Sequence, residues 1–491
     1  MEPTVHIGQR SIRGTSADGV RAFRGIPYAA APTGAHRFEP PRPAEWTGEF
    51  DARNFGPTAP QASTTGMPDL TAIVGTGWTP GDDYLSLNIW TPQDADCLPV
   101  MVFVHGGAFT SGSGSAPGYD GTVFAKSGVV LVTINYRIGV PGFLHLPGVP
   151  DNRGLRDQIA ALEWVREHIA AFGGNPDAVT IFGESAGGLS VGALLAAAPA
   201  GLFRRAISQS GGAAHALTTA QAEVVTAAFA NQFGTDAFAQ IPDEALAKAA
   251  TQLRATPLNL AVDGVRDPLM GLSAFGPVID GDLLTEQPVA AVRAGAAADI
   301  DVLVGSNSDE MNLYLVALSA PETTESALQA AASTLHPDPA ALIEHYRAAG
   351  RGTTPGEVLA AIGTDYMFAV PTARLADAHA PQPGGTWRYE FAWRSPAFEG
   401  RLGACHGLEL PFVFGNVGRV DYGALGIPDD DSVRELAERM HASWVAFARD
   451  GDPGWPRYTP ENPVVQRIDT EWTTTTTADG PERALWTGVR G

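Results

Sequence analysis

The chain runs to 491 residues, 44% of them apolar, which is ample for a large buried core. It carries 54 acidic against 32 basic side chains, a formal charge of −22, so its surface repels nucleic acid and anionic membranes. No basic start leading into an apolar run opens the sequence, and no stretch reaches the ~18 uninterrupted apolar residues of a membrane span, so neither a leader nor a transmembrane helix is expected. Only two cysteines occur, Cys97 and Cys405. Two free thiols in a reducing cytoplasm is the expectation, rather than a disulfide framework.

No repeat and no Gly/Ser linker divides the chain, which reads as one large domain over residues 1–491, with insertions. In chain order, Val100-Met101-Val102-Phe103-Val104 is an uninterrupted apolar run ending in glycines. Val129 to Ile134 is a second, Val179 to Phe182 a third, and Val302-Leu303-Val304 a short fourth. Unbroken β-branched runs suit central strands covered on both faces. Between the second and third, Leu155, Ile159, Leu162, Val165, Ile169 and Phe172 recur at helical spacing, and Gly173-Gly174 supplies the stop. A second helical pattern covers Gly187 to Ala198. Strand, helix, strand, helix predicts an α/β fold with a mostly parallel sheet covered by helices on both faces. The charged stretch from Val433 to Asp450 is helical, and the threonine run Thr473 to Thr477 reads as an exposed strand or loop.

Each motif with chemical content directly follows a strand, where α/β sheets gather their chemistry. Gly183-Glu184-Ser185-Ala186-Gly187 is a G-x-S-x-G pattern between a buried strand and an alanine-rich helix. That context suits a nucleophilic serine on a strained turn, with a helix N-terminus favouring the negative charge that develops on attack. His105-Gly106-Gly107-Ala108-Phe109 follows the first strand. Its small residues allow close backbone approach, and the N–H groups of Gly107, Ala108 and Ala186 are the expected oxyanion donors. Gly112-Ser113-Gly114 lacks the spacing and the lysine of a phosphate loop. A serine nucleophile needs a histidine base held by a carboxylate. Asp309 and Glu310, after the fourth strand, are equal candidates for the acid, with Asp280 a weaker third that reads as a turn. Of the later histidines, His336 stands in a polar loop, His345 and His379 in helical patterns, and His441 in the charged helix. His406, in the flexible Gly403–Gly407 loop, is the best placed.

Together these segments resemble the type-B carboxylesterase family, the α/β-hydrolases that include p-nitrobenzyl esterases and cholinesterases. The resemblance starts at Phe23-Arg24-Gly25-Ile26-Pro27-Tyr28-Ala29 and Arg37-Phe38. It continues through Asp82 to Trp90, the glycines after His105, Gly183 to Gly188, and Gln209-Ser210-Gly211. It ends with Ser308-Asp309-Glu310 and Cys405-His406-Gly407. It implies that Glu310 is the triad acid and His406 the base. It also implies that Glu184 tunes the histidine, that Ser210 stands behind the acid, and that Arg37 and Asp82 form a buried brace. Tyr84 stands where many members have a cysteine, and the Pro57–Pro80 loop, with Trp78 its one aromatic, is unlike that of cholinesterases. The chain looks most like the bacterial intracellular branch, which hydrolyses short to medium acyl esters and some aromatic esters. A small-molecule ester, no cofactor, no metal, and a monomer or small homo-oligomer are the matching expectations. Phe109, Phe275, Phe368 and Phe412 are candidate pocket walls. Amide or carbamate hydrolysis by the same machinery is the rival activity.

Overall fold

The computed structural model describes residues 2–62, 69–234, 237–254, 258–317, 322–476 and 482–489. Its centre is an 11-stranded sheet. In chain order the strands are β1 (Thr15–Ala17), β2 (Val20–Pro27), β3 (Ser86–Pro92), β4 (Leu98–Val104), β5 (Val130–Ile134) and β6 (Gly174–Glu184). They continue with β7 (Arg205–Gln209), β8 (Asp301–Asn307), β9 (Thr386–Phe391), β10 (Val465–Ile468) and β11 (Thr473–Thr475). Their spatial order is β11-β10-β9-β8-β7-β6-β4-β5-β3-β2-β1. The seven from β5 to β10 pair parallel, and antiparallel strands close both edges.

The four apolar runs are β4, β5, β6 and β8, and the first shows why they are uninterrupted. Val100, Val102 and Val104 enter one core, while Met101 and Phe103 enter the other. Helices α1 (Arg153–His168) and α2 (Ala186–Ala197) cover the valine side. On the methionine side lies α3 (Asp431–Asp450), through Met440, Trp444 and Phe447. The charged stretch is thus an amphipathic helix with one buried stripe. α1 ends at His168, a 3₁₀ turn carries the chain to Phe172, and Gly173 takes the left-handed φ of 86° before β6 begins. The threonine run supplies edge strand β11 through Thr475; Thr477 lies outside the described residues.

Two expectations about paired side chains change. Arg37 does not pair with Asp82, which is exposed. Its Nε instead lies 3.1 Å from Asp243 at the first turn of a distant helix, Asp243–Arg254. The buried ion pair of this region is Arg137 with Asp157, both fully inaccessible and 2.7 Å apart. Cys97 is exposed, Cys405 is buried, and both are free thiols. Tyr84 is buried at the position of the missing cysteine. No described helix is long and apolar enough to cross a membrane.

The register sets up the site. Val104 pairs with Gly183, Glu184 with Gln209, and Gln209 with Gly305. The carboxyl ends of β4, β6, β7 and β8 therefore lie side by side, and the segments that leave them share one rim of the sheet.

Candidate active site

Ser185 occupies the single residue between β6 and α2, with φ 57° and ψ −125°. A non-glycine residue there stores about 1–3 kcal/mol of strain. The glycines around it make the turn possible. A Cβ on Gly187 would lie 1.9 Å from the Val104 carbonyl oxygen, and one on Gly183 would lie 2.6 Å from the Gly187 backbone. The Ser185 N–H is held by the Gln209 carbonyl at 3.0 Å, and the Ser185 carbonyl accepts from Leu189 N–H at 2.8 Å. The backbone that carries the hydroxyl is thereby held from both sides.

His406 stands 2.7 Å from it, Nε2 to Oγ. On the other side of the ring, Nδ1 is 2.6 Å from Glu310 Oε2. A carboxylate can only accept, so Nδ1 carries the proton and Nε2 presents its lone pair to the serine hydroxyl. Glu310 is fully buried, and its second oxygen accepts from Ser210 Oγ at 2.6 Å and from Asn307 N–H at 2.7 Å. The Gly403–Gly407 loop, expected to be flexible, is tethered on several sides. The His406 N–H donates to the Glu310 carbonyl, Cys405 O accepts from Asn307 Nδ2 at 2.7 Å, and the His406 ring packs 4.6 Å from Phe368. Asp309, the alternative acid, turns outward. Its Oδ2 accepts from Arg394 at 2.7 Å and from Ala404 N–H at 3.0 Å. Asp280 caps a turn, accepting from the N–H groups of Asp282 and Leu284.

Glu184 Oε1 lies 3.2 Å from His406 Nε2, on the serine side of the ring. Burial among Glu409 and Glu310 pushes the Glu184 carboxyl up to about 8 despite the attraction of His406. Burial disfavours the imidazolium, but Glu184 and Glu310 outweigh it and raise the basicity of His406. Behind them lies a fourth acidic residue that the motifs did not single out. Glu409 is fully buried and takes hydrogen bonds from Gln209 Nε2 and Asn307 Nδ2, and Trp444 Nε1 in turn donates to Gln209 Oε1. The only sequence signal for it is an acidic residue inside the otherwise apolar Leu408 to Phe414 run.

The turn after β4 approaches the same point. A Cβ on Gly106 would sit 3.1 Å from Ser185 Cβ, so that strand end and the serine turn touch. Its peptide carbonyls are held away from the site. Gly106 O accepts from His105 Nδ1 at 2.8 Å, and Gly107 O accepts from the N–H groups of Thr110 and Ser111 and from Ser111 Oγ. In a trans peptide the N–H points opposite its carbonyl. The N–H groups of Gly107 and Ala108 therefore face the other way, and neither has an acceptor among the described residues. Ala186, first in α2, has an N–H without an intrahelical partner. Three N–H groups with no acceptor among the described residues thus lie on the two turns that meet at the serine.

Of the aromatic residues, Phe368 packs on His406, while Phe109 and Phe275 lie in the valine-side core. Phe412 is not brought to this group. It is fully buried on the opposite side of the sheet, between Phe391 and Trp393. Three of the other candidate histidines are held in structural hydrogen bonds. His441 is buried with Nδ1 on the Val413 carbonyl and Nε2 on Ser127, and His379 bonds to Thr386. His336 spans the Asp338 and Leu485 carbonyls. A buried Ser–His–carboxylate chain beside free N–H donors is equipped for acyl transfer through a covalent intermediate.

Comparison with known proteins agrees. The profile of the carboxylesterase family matches residues 1–486. The para-nitrobenzyl esterase of Bacillus subtilis (strain 168) is 38% identical over 486 residues, covering 94% of each chain. The phenmedipham hydrolase of Pseudarthrobacter oxydans is 35% identical over 501 residues, 96% of this chain and 95% of that one. A solved para-nitrobenzyl esterase structure superposes with a TM-score of 0.86 at 35% identity, covering 99% of both chains. The chain is a serine ester hydrolase with the α/β-hydrolase fold, and it belongs to the carboxylesterase family.

Proposed function

We propose that Ser185, His406 and Glu310 carry the ester hydrolysis, and that short to medium acyl esters and aromatic esters are the substrates. His406 takes the Ser185 proton as Oγ attacks the ester carbonyl, with Glu310 orienting the ring. The Gly107, Ala108 and Ala186 N–H groups hold the oxyanion. His406 then protonates the departing alcohol, and the acid stays on Ser185 as an ester. Water attacks that ester with the same histidine as base, which releases the acid and restores the hydroxyl. Glu184 adjusts the basicity of His406, and Ser210 holds Glu310 in place.

The observation that carries this reading is the unbroken chain from Ser185 Oγ through His406 to Glu310, at 2.7 Å and 2.6 Å. Phe368 against the histidine, with Phe109 and Phe275 nearby in sequence to donors and to the loop facing them, favours an apolar acyl or aryl group. The relatives' printed activities support the ester class. Residues 1–491 act as one domain, supported by a sheet whose edge strands come from opposite ends of the chain, β1 and β11. All the proposed groups come from one chain, so a monomer or small homo-oligomer suffices. The free thiols favour a reducing bacterial cytoplasm.

A panel of p-nitrophenyl esters from two to sixteen carbons, with a matched anilide, tests substrate class. Turnover concentrated on short and medium chains, with the anilide poor, is expected. Ser185→Ala should reduce turnover at least about 10⁴-fold. Hydrolysis that survives this change would overturn the nucleophile assignment.

A further inference from the structure

The turn that carries two of the proposed oxyanion donors is strained. Gly107 has φ 111°, and the next two residues, Ala108 and Phe109, sit at φ 56° and 58° although neither is glycine. Consecutive left-handed non-glycine residues persist only where surroundings hold them. Three of the restraints on this turn are visible. The Gly107 carbonyl is held by Thr110 and Ser111 within the turn itself. The Phe109 carbonyl accepts from Gly139 N–H at 2.6 Å. The carbonyl between them, Ala108 O, accepts from the hydroxyl of Ser273 at 2.7 Å, a residue 165 positions away.

Ser273 is well placed to act as an anchor. It is only 4% exposed, and its own oxygen accepts from Phe275 N–H at 3.0 Å, which orients the hydroxyl hydrogen toward Ala108. The segment carrying it is fixed from both ends. Tyr366 OH donates to the Asp267 carbonyl at 2.7 Å, and Asp267 in turn caps Leu269 and Gly271. On the far side Phe275 packs on Phe229, and Val278 exchanges two hydrogen bonds of 2.8 Å with the Asn152 side chain. Tyr366 and Phe368 belong to the same turn of helix, and Phe368 packs on His406.

We propose that Ser273 is a positioning residue for catalysis: its hydroxyl fixes the Ala108 carbonyl, keeps Ala108 in its left-handed conformation, and through that residue helps hold the adjoining Gly107–Ala108 peptide, with the Ala108 N–H, in its oxyanion-binding direction. This rests on the assignment of Ala108 as an oxyanion donor. Without the tether, Ala108 is free to leave the left-handed region and release its strain. A change of φ at Ala108 turns the Gly107–Ala108 peptide against the rest of the turn and swings the Ala108 N–H off the position where charge develops. A donor out of place lowers transition-state affinity and leaves substrate affinity alone.

The test is Ser273→Ala and Ser273→Thr, with kcat and KM for p-nitrophenyl acetate. It adds inhibition by a trifluoromethyl ketone, whose hemiketal oxyanion mimics the intermediate, and by a matched ground-state ketone. Ser273→Ala should lose about tenfold in kcat at unchanged KM, and the trifluoromethyl ketone should weaken by the same factor. The ground-state ketone should bind as before, and Ser273→Thr, which keeps the hydroxyl, should recover most of the loss. Should Ser273→Ala fold poorly, Ser273→Thr and Ser273→Val give the same comparison at matched volume. Equal weakening of both ketones, or no change in either, overturns the proposal. Ser185→Ala measured alongside separates the two readings: turnover surviving there defeats the active-site assignment, whereas an inert Ser185→Ala with an unaffected Ser273→Ala defeats only the tether.

Discussion

At the scale of single residues, four acidic side chains around one imidazole have four different fates. Glu310 holds Nδ1, Glu184 faces Nε2, Glu409 is bonded to Gln209 and Asn307, and Asp309 leaves for the surface on Arg394. When ionised, Glu184 next to Nε2 stabilises the imidazolium, so replacing it by a neutral amide should make His406 easier to deprotonate. The sign follows directly: a lower pKa on the base moves the acid limb of the rate profile to lower pH. We expect Glu184→Gln to shift that limb down by about one unit, read from kcat/KM against pH. A limb that stays in place would show that Glu184 does not act on the histidine. The sequence could not separate Asp309 from Glu310, because adjacent residues share every local signal; the family resemblance made the choice. Glu409 escaped notice for a related reason, since its partners Gln209 and Asn307 come from other strands. The brace for Arg37 is not legible in the sequence because Asp243 lies 206 positions away, and nothing local in either segment marks the pair.

At the scale of elements, the serine turn is a contact between backbones. β4, β6 and α2 approach so closely that Gly183 and Gly187 have no room for a side chain. Gly187→Ala places a methyl group 1.9 Å from the Val104 carbonyl oxygen, and the only relief is to move α2 or the end of β4. Either shift displaces Ser185 from His406 or the donors from Ser185. A misplacement of about 1 Å is worth roughly 10² in rate, so we expect at least that loss in kcat for Gly187→Ala, along with about 1–3 kcal/mol of overpacking cost in urea unfolding. Near wild-type kcat in a folded variant would mean that the turn tolerates spreading. These elements were legible because their signals are local. A β-branched run, a glycine-flanked serine and an alanine-rich helix name strand, turn and helix without reference to the rest of the chain. The pocket was less legible, since Phe109, Phe275, Phe368 and Phe412 look alike in sequence. What separates them is which side of the sheet their segments pack on, and the short helix Leu410–Val413 puts Phe412 in the other core.

At the scale of the whole molecule, Arg137 joins parts of the chain that share no strand pairing. Its Nε and Nη2 meet both oxygens of Asp157 on α1, at 2.8 Å and 2.7 Å, and its own N–H adds a third bond to the same carboxylate. Its remaining nitrogen donates to the carbonyls of Arg37 and Glu39, at 3.0 Å and 2.6 Å. The N-terminal segment is thereby tied to the helix that follows β5. Nearby, the hydroxyl of Tyr28 donates to the Asn135 carbonyl at 2.7 Å, a second tie between the same regions. Both members of the ion pair are wholly inaccessible. Neutralising one leaves a buried guanidinium without its counter-charge, which costs about 3–5 kcal/mol. Asp157→Asn should therefore lower the urea midpoint by that equivalent, and the loss should appear alike in fluorescence and circular dichroism if residues 1–491 unfold as one domain. Arg137→Met, which removes the charge that needs a partner but strands Asp157, should be similarly costly. The double variant Arg137→Met with Asp157→Asn should recover part of the loss, because neither charge then remains buried. If the double variant is as unstable as the sum of the singles, the pair is not energetically coupled and the tie to Arg37 and Glu39 is what matters.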